Sequence, residues 1–152
     1  MKLTDKTAKA RAESISFEFD LDHPPEKVWR ALTDPVLLAQ WLLPAIDHKL
    51  EPGAAFTFMA PPQPGWDGIV NCRLIEIEAH SRLSYTWVVG DPQSEFFIDT
   101  IVTFTLTPTA SGTRLSLEQS GFKPDQKREF GGARYGWRMM GEKLVDVLAR
   151  IP

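Results

Sequence analysis

Three histidines, one cysteine and a scatter of carboxylates are the groups in this 152-residue chain with the chemistry to bind a metal or move a proton. His23, His48 and His80 stand far apart. They show neither a His-x-x-x-His step nor a carboxylate at the interval zinc sites use, so the spacing calls for no metal. Cys72 has no base beside it in sequence and reads as a small hydrophobe on a buried strand face rather than a nucleophile. An apolar pocket would still turn one buried acid or histidine into a general acid or base by shifting its pKa. Asp67, His48, Asp99 and Arg73 are the polar side chains nominated for that work. Asp99 precedes the inward run of its strand and Arg73 faces solvent by alternation, so both read as surface charges. The sequence carries no Gly-x-Ser-x-Gly elbow, P-loop or Gly-x-Gly-x-x-Gly. The reading leans away from an enzyme and assigns no catalytic residue and no cofactor.

A second set of residues is apolar. Strand alternation and helix period point Trp41, Phe58, Cys72, Trp87, Phe104, Trp137 and Met140 toward one interior. Each alone reads as core; together they make a wall for an apolar or amphipathic ligand. Trp66 and Asp67 follow Pro61-Pro62-Gln63-Pro64-Gly65. That loop acts either as a flap over one mouth of a cavity, with Trp66 touching ligand, or as an anchored segment whose indole N–H is bonded locally.

The elements that must position these residues follow from periodicity. Residues 1–12 show no apolar period and read as a loose leader, with one domain over 13–152. Ile15, Phe17, Phe19 and Leu21 alternate with polar residues, which predicts a first strand with one buried face. Pro25 suits a first helical position, and Asp34 followed by Pro35 suits the cap and first position of a second helix. The expected result is a V-shaped pair of short helices. Six strands are predicted next, over 46–50, 55–59, 68–77, 83–89, 97–106 and 113–119. Turn residues such as Pro52-Gly53 and Thr109-Ala110-Ser111-Gly112 separate them. From about residue 125 to 151, Phe130, Ala133, Trp137, Met140, Leu144, Val147, Leu148 and Ile151 recur at helical steps. Gly131, Gly132, Gly136 and Gly141 sit within that period, each costing roughly 1 kcal/mol relative to Ala. A kink near Gly131-Gly132, or close approach of another backbone, would account for part of that cost.

Composition excludes several classes. Seventeen basic residues are dispersed among 20 acidic ones, for a net charge of −3, so there is no basic stripe for nucleic acid or anionic lipid. A single cysteine forms no internal disulfide and fits a reducing compartment. The first residues lack an apolar signal core and no later run approaches a membrane span, so a cytoplasmic location is expected.

Particular phrases then carry a family resemblance: Pro25-Glu26-Lys27-Val28-Trp29-Arg30-Ala31-Leu32-Thr33-Asp34-Pro35, Leu38-Ala39-Gln40-Trp41, Glu51-Pro52-Gly53, Arg82-Leu83-Ser84-Tyr85-Thr86-Trp87, Val102-Thr103-Phe104-Thr105-Leu106, Gly112-Thr113-Arg114-Leu115, Ser120-Gly121-Phe122 and Gly136-Trp137. In this order the chain resembles the Bet v 1-like, START-related superfamily. It is most similar to the branch named for the activator of Hsp90 ATPase. Ala79-His80-Ser81 stands where family members often have a proline pair, and the longer polar arm common elsewhere before the last helix is missing. The resemblance implies an α+β helix-grip fold: a strand, two short helices, a six-strand antiparallel meander, and a long C-terminal helix across the curved sheet.

It also implies a cavity that holds lipids, polyketides, hormones or other apolar molecules. The expected function is a small-molecule binding module whose ligand-binding residues are Trp41, Phe58, Trp66, Cys72, Trp87, Phe104, Trp137 and Met140. One alternative is an Hsp90 co-chaperone-like interaction domain; another is a cofactor-free polyketide cyclase or hydrolase using the same pocket. The expected partner is a lipid- or polyketide-like molecule, with no nucleic acid or membrane, room for a chaperone partner, and a monomer or homodimer.

Overall fold

The computed structural model describes residues 2–7, 14–64, 66–94 and 97–152. In chain order the elements are β1 (Lys2–Asp5), β2 (Ser14–Leu21), α1 (Pro25–Thr33), α2 (Pro35–Trp41), β3 (Ala45–Ile46), β4 (Ala55–Met59), β5 (Ile69–Glu78), β6 (Arg82–Val89), β7 (Ile98–Pro108), β8 (Thr113–Ser120) and α3 (Lys127–Arg150). All eight strands join one antiparallel sheet in the order β1-β2-β8-β7-β6-β5-β4-β3. The last six thus form the expected meander, and β2 returns to close on β8. The curved sheet with α3 lying across it is a helix-grip fold.

Strict alternation in β2 buries Ile15, Phe17, Phe19 and Leu21 and leaves the residues between them half-exposed. The same parity buries Leu115, Leu117 and Gln119 on β8 and Val102, Phe104 and Leu106 on β7. On β5 the register slips between Leu74 and Glu76. A bulge of this kind bends its strand and adds twist, which helps the sheet curl around the helix.

Pro25 opens α1, and Asp34 caps α2 by accepting a hydrogen bond from the Val36 amide at 2.9 Å. The V between the helices is pinned by the Trp41 indole N–H, which donates to the Ala31 carbonyl at 2.8 Å. The tip of the β7–β8 hairpin packs against the entry to α1. A Cβ on Gly112 would lie 2.1 Å from the Leu21 carbonyl oxygen, so that contact admits only glycine.

Three expectations need correction. Residues 2–5 are not a loose leader but the edge strand β1, paired with β2 from Lys2↔Asp20 to Asp5↔Phe17; residues 8–12 of that segment lie outside the described residues. What holds β1 is backbone pairing and a long-range clamp, since Asp5 accepts from Arg134 at 2.7 Å and from Arg138 at 3.4 Å on α3. Neither force leaves an apolar period in the sequence. The strand expected over 46–50 shrinks to β3, because Asp47 turns into the left-handed region at φ 58° and ends the pairing. Finally, α3 runs unbroken through Gly131-Gly132, where an added Cβ would meet nothing within 4 Å. The close approach is at Gly141 instead: a Cβ there would lie 2.5 Å from the Phe19 ring.

Two predictions follow from these contacts. Gly131→Ala should raise the unfolding free energy by about 1 kcal/mol through helix propensity alone, whereas Gly141→Ala should lower stability because the Phe19 ring must move; denaturant titration of both variants reads the opposite signs. Burial pushes the Asp5 carboxyl up, but hydrogen bonds from Thr7 and the Arg134 guanidinium outweigh it and hold the pKa below the ordinary value of 3.8. The clamp therefore contributes fully above that ordinary value and is lost as pH falls through the lower folded value. Asp5→Asn should cost about 0.5–1 kcal/mol at pH 7, a small figure because the arginines are partly solvated. The difference from wild type should vanish in acid below the folded pKa, as urea melts at the two pH values would show.

Candidate functional site

The first ten residues of α3 include no buried side chain; Trp137, Gly141, Leu144, Val147 and Leu148 supply all of the helix's buried positions. The helix is thus anchored by its C-terminal half, and its N-terminal half bridges an open space above the sheet. That space is a cavity of about 510 Å³. Its sheet-side wall is Trp87 and Val89 of β6, Ile98 of β7 and Gln119 of β8. Its roof is Gly132, Ala133, Gly136, Trp137 and Met140 of α3. Leu43 and the loop residues Ala60, Gln63, Pro64 and Trp66 close one side, and Arg128 and Glu129 stand at the helix's outer end. Glycine at 132 and 136 keeps the roof thin where larger residues would fill the space.

The mouth lies between exposed residues, Gln63 and Pro64 on the loop and Arg128 and Gly132 on the helix. The loop is held shut on itself: the Gln63 and Trp66 backbones exchange hydrogen bonds at 2.9 Å each. The Trp66 indole N–H donates to the Ile69 carbonyl at 3.1 Å, leaving its ring half-buried on the cavity. The loop is thus the anchored segment of the second reading, with the Trp66 ring on the cavity wall. Gly68, at φ 84°, lets the chain fold back so tightly that a Cβ would lie 2.1 Å from the Ala60 carbonyl oxygen.

At the buried end, the Trp137 ring lies tilted against Trp87, 5.4 Å between ring centres, and its indole N–H donates to Gln119 Oε1 at 2.7 Å. The Gln119 amide donates in turn to Thr100 Oγ1 at 2.9 Å, and that hydroxyl donates to the Trp87 carbonyl at 2.8 Å. An indole N–H only donates, so it dictates which way the Gln119 amide faces and, through it, the sense of the whole chain. This relay ties α3 to β6, β7 and β8 at the cavity floor.

The nominated residues divide. Trp66, Trp87, Trp137 and Met140 line the cavity. Trp41, Phe58 and Phe104 do not: they are sealed behind its wall as an aromatic core. Phe58 lies 5.5 Å from Trp87, and Phe104 lies 6.4 Å from Trp41 and 6.2 Å from Trp137. Parity aimed them at the right layer, but ring-on-ring packing filled that part of it. Cys72 is buried beside Val70 and borders a shallow recess under the outer face of β4, β5 and β6 instead. Burial pushes its thiol pKa up to about 12.

None of the nominated acids and bases borders the cavity. Asp67 is exposed and accepts from the Ile69 amide at 3.0 Å, and Asp99 is exposed. Arg73 is exposed and donates to the Gly53 carbonyl at 2.7 Å. His48 packs edge-on to Phe56 at 4.9 Å, and burial lowers its pKa. His23 sits beside Lys27, its pKa lowered by partial burial and by that ammonium. His80 meets Trp29 edge-on at 6.2 Å between ring centres. Among the described residues, no three His, Cys, Asp or Glu side chains come together as a metal-binding group. No described helix is long and apolar enough to cross a membrane.

Sequence reasoning missed Gln119, Val89, Ile98, Arg128 and Glu129 as lining residues. For Gln119 the signal was present, since it continues the inward parity of Leu115 and Leu117. With the thiolate suppressed, Cys72 should resist an alkylating reagent at pH 8 in the native protein and react promptly in denaturant. A thiol-counting assay with and without urea measures both.

The chain matches the family described as activator of Hsp90 ATPase homolog 1-like protein over residues 22–149. A protein from Mesorhizobium loti of known crystal structure is 43% identical; the match covers 91% of this chain and 98% of that one, with a TM-score of 0.83. A second crystal structure, of a protein from Chromobacterium violaceum, is 28% identical over 91% of this chain and 99% of that one, with a TM-score of 0.74. No curated protein matches. With a family match over most of its length, on the helix-grip fold, the chain belongs to the activator of Hsp90 ATPase homolog 1-like family.

Proposed function

We propose that this protein is a binding module that takes an apolar or amphipathic small molecule into the cavity between its sheet and α3. The observation that carries this reading is the cavity itself: about 510 Å³ walled chiefly by Trp66, Trp87, Trp137, Val89, Ile98 and Met140. Ligand pockets commonly measure about 300–1,000 Å³, with apolar and aromatic walls and a few polar groups. Burial of ligand surface then supplies the affinity, at roughly 25 cal/mol per Å² of apolar area.

The ionisable groups on the wall favour binding over proton transfer. Among the described residues they are Arg128 and Glu129, both near the outer end of the helix. A cyclase or hydrolase reading would draw support from an acid or base at the buried end, where the structure instead places Gln119, Trp87 and Trp137. The single buried thiol suits a cytoplasmic setting.

Native mass spectrometry of protein from its own host, followed by a thermal-shift screen of fatty acids, aromatic polyketides and flavonoids, tests the proposal. A ligand selective for the native state stabilises it by about 2.7 kcal/mol at 100 times its Kd. Met140→Trp should fill the roof and Trp87→Ala should strip the wall, each abolishing the ligand-induced shift while the variant still unfolds cooperatively. A clean apo mass with no shift across the screen would overturn the binding role.

A further inference from the structure

The floor of the cavity carries one polar side chain whose hydrogen-bonding capacity the protein does not use up. Gln119 is 1% exposed and lines the cavity. Its oxygen is committed to the Trp137 indole N–H at 2.7 Å. Its nitrogen bears two N–H groups, and among the described residues it has one acceptor, Thr100 Oγ1 at 2.9 Å. The amide cannot turn over to hide the second donor, because that would set its NH₂ against the indole N–H, donor against donor. The arrangement is also closed from behind, since the Thr100 hydroxyl spends its own proton on the Trp87 carbonyl.

Resting on the binding role argued above, we propose that Gln119 is the specificity-determining residue of the cavity. Its remaining amide N–H recognises a hydrogen-bond acceptor, a ketone or quinone carbonyl, at the inner end of an otherwise apolar ligand. A buried donor left without an acceptor is costly, so the floor discriminates against a pure hydrocarbon of the same shape. The rings of Trp87 and Trp137, tilted against each other at 5.4 Å, line the same cavity as the amide, which suits an aromatic ketone. The partner class is therefore narrower than apolar molecules in general.

Fluorene and fluorenone share a tricyclic skeleton and differ in a CH₂ against a C=O, and quenching of tryptophan fluorescence reports the binding of each. The ratio of their dissociation constants, compared between wild type and Gln119→Met, cancels their different affinities for water. That ratio should shift toward fluorene by about 3- to 10-fold in the variant, the value of one hydrogen bond. An independent readout needs no variant: one of the two Gln119 side-chain amide protons should move downfield on adding fluorenone to the wild type and stay in place on adding fluorene.

A ratio unchanged within twofold, together with amide protons that respond alike to both compounds, would overturn the assignment while leaving the binding role standing. If Gln119→Met does not fold, the amide-proton comparison decides alone. Failure of both compounds to bind wild type would instead strike the cavity as a site for this ligand class, and the assignment would fall with it.

Discussion

A straight helix and a curved sheet can share contact over only part of their lengths, and here Gly141 and Trp137 set which part. The 24 residues of α3 span about 36 Å at the standard rise per residue, far longer than any one contact with the sheet. Gly141 lets the helix settle onto the Phe19 ring, and Leu144, Val147 and Leu148 follow it into the core. One turn earlier, the Trp137 indole reaches down to Gln119 and fixes the distance between helix and sheet. Beyond that point the helix stands clear. The cavity is the geometric remainder of an anchored helix that does not bend.

Because fully buried side chains come only from Trp137 onward, the two halves of α3 are under different constraints. The C-terminal half is held by burial. The N-terminal half is held by its own hydrogen bonds, by Phe130 against Phe122 at 5.3 Å, and by the Arg134 and Arg138 pairs to Asp5. Glycines in this half do not relieve crowding, since nothing would meet a Cβ at Gly131 or Gly132. Gly132 and Gly136 instead leave room below, so the sequence gives up helix propensity and retains volume in the cavity. The clamp through Asp5 recruits the edge strand β1 to the same task, tying one margin of the sheet to the helix.

The polar relay from Trp137 to Trp87 shows how a buried network acquires direction. The Gln119 amide and the Thr100 hydroxyl could each point either way, but the indole at one end only donates and the Trp87 carbonyl at the other only accepts. The two ends therefore set the orientation of the amide and the hydroxyl between them. The same logic leaves one donor over at the cavity floor, which makes the floor chemically distinct from its aromatic walls.

Periodicity, together with cap and turn residues, determined the order of elements from β2 to α3. The alternation of Ile15, Phe17, Phe19 and Leu21, the Asp34-Pro35 start signal and the helical spacing from Phe130 to Ile151 each report a local fact, which side of an element meets the core, and the core imposes that fact on the sequence. The same parity placed Trp87, Trp137 and Met140 on the inner surface. Only the tertiary structure decided which inner residues meet empty space and which meet one another. Trp41, Phe58 and Phe104 carry the same pattern as Trp87, yet they are sealed by ring contacts that depend on where α2 and α3 cross the sheet. The edge strand β1 was hidden for a related reason, since backbone pairing and an ion pair 129 residues away leave no local period. Gln119 is the plainest case: its sequence position gives its direction, but only the fold brings it to Trp137, Thr100 and the cavity at once. Whether a buried side chain fills a core or faces a cavity depends on the separation of two elements, and no single segment encodes that separation.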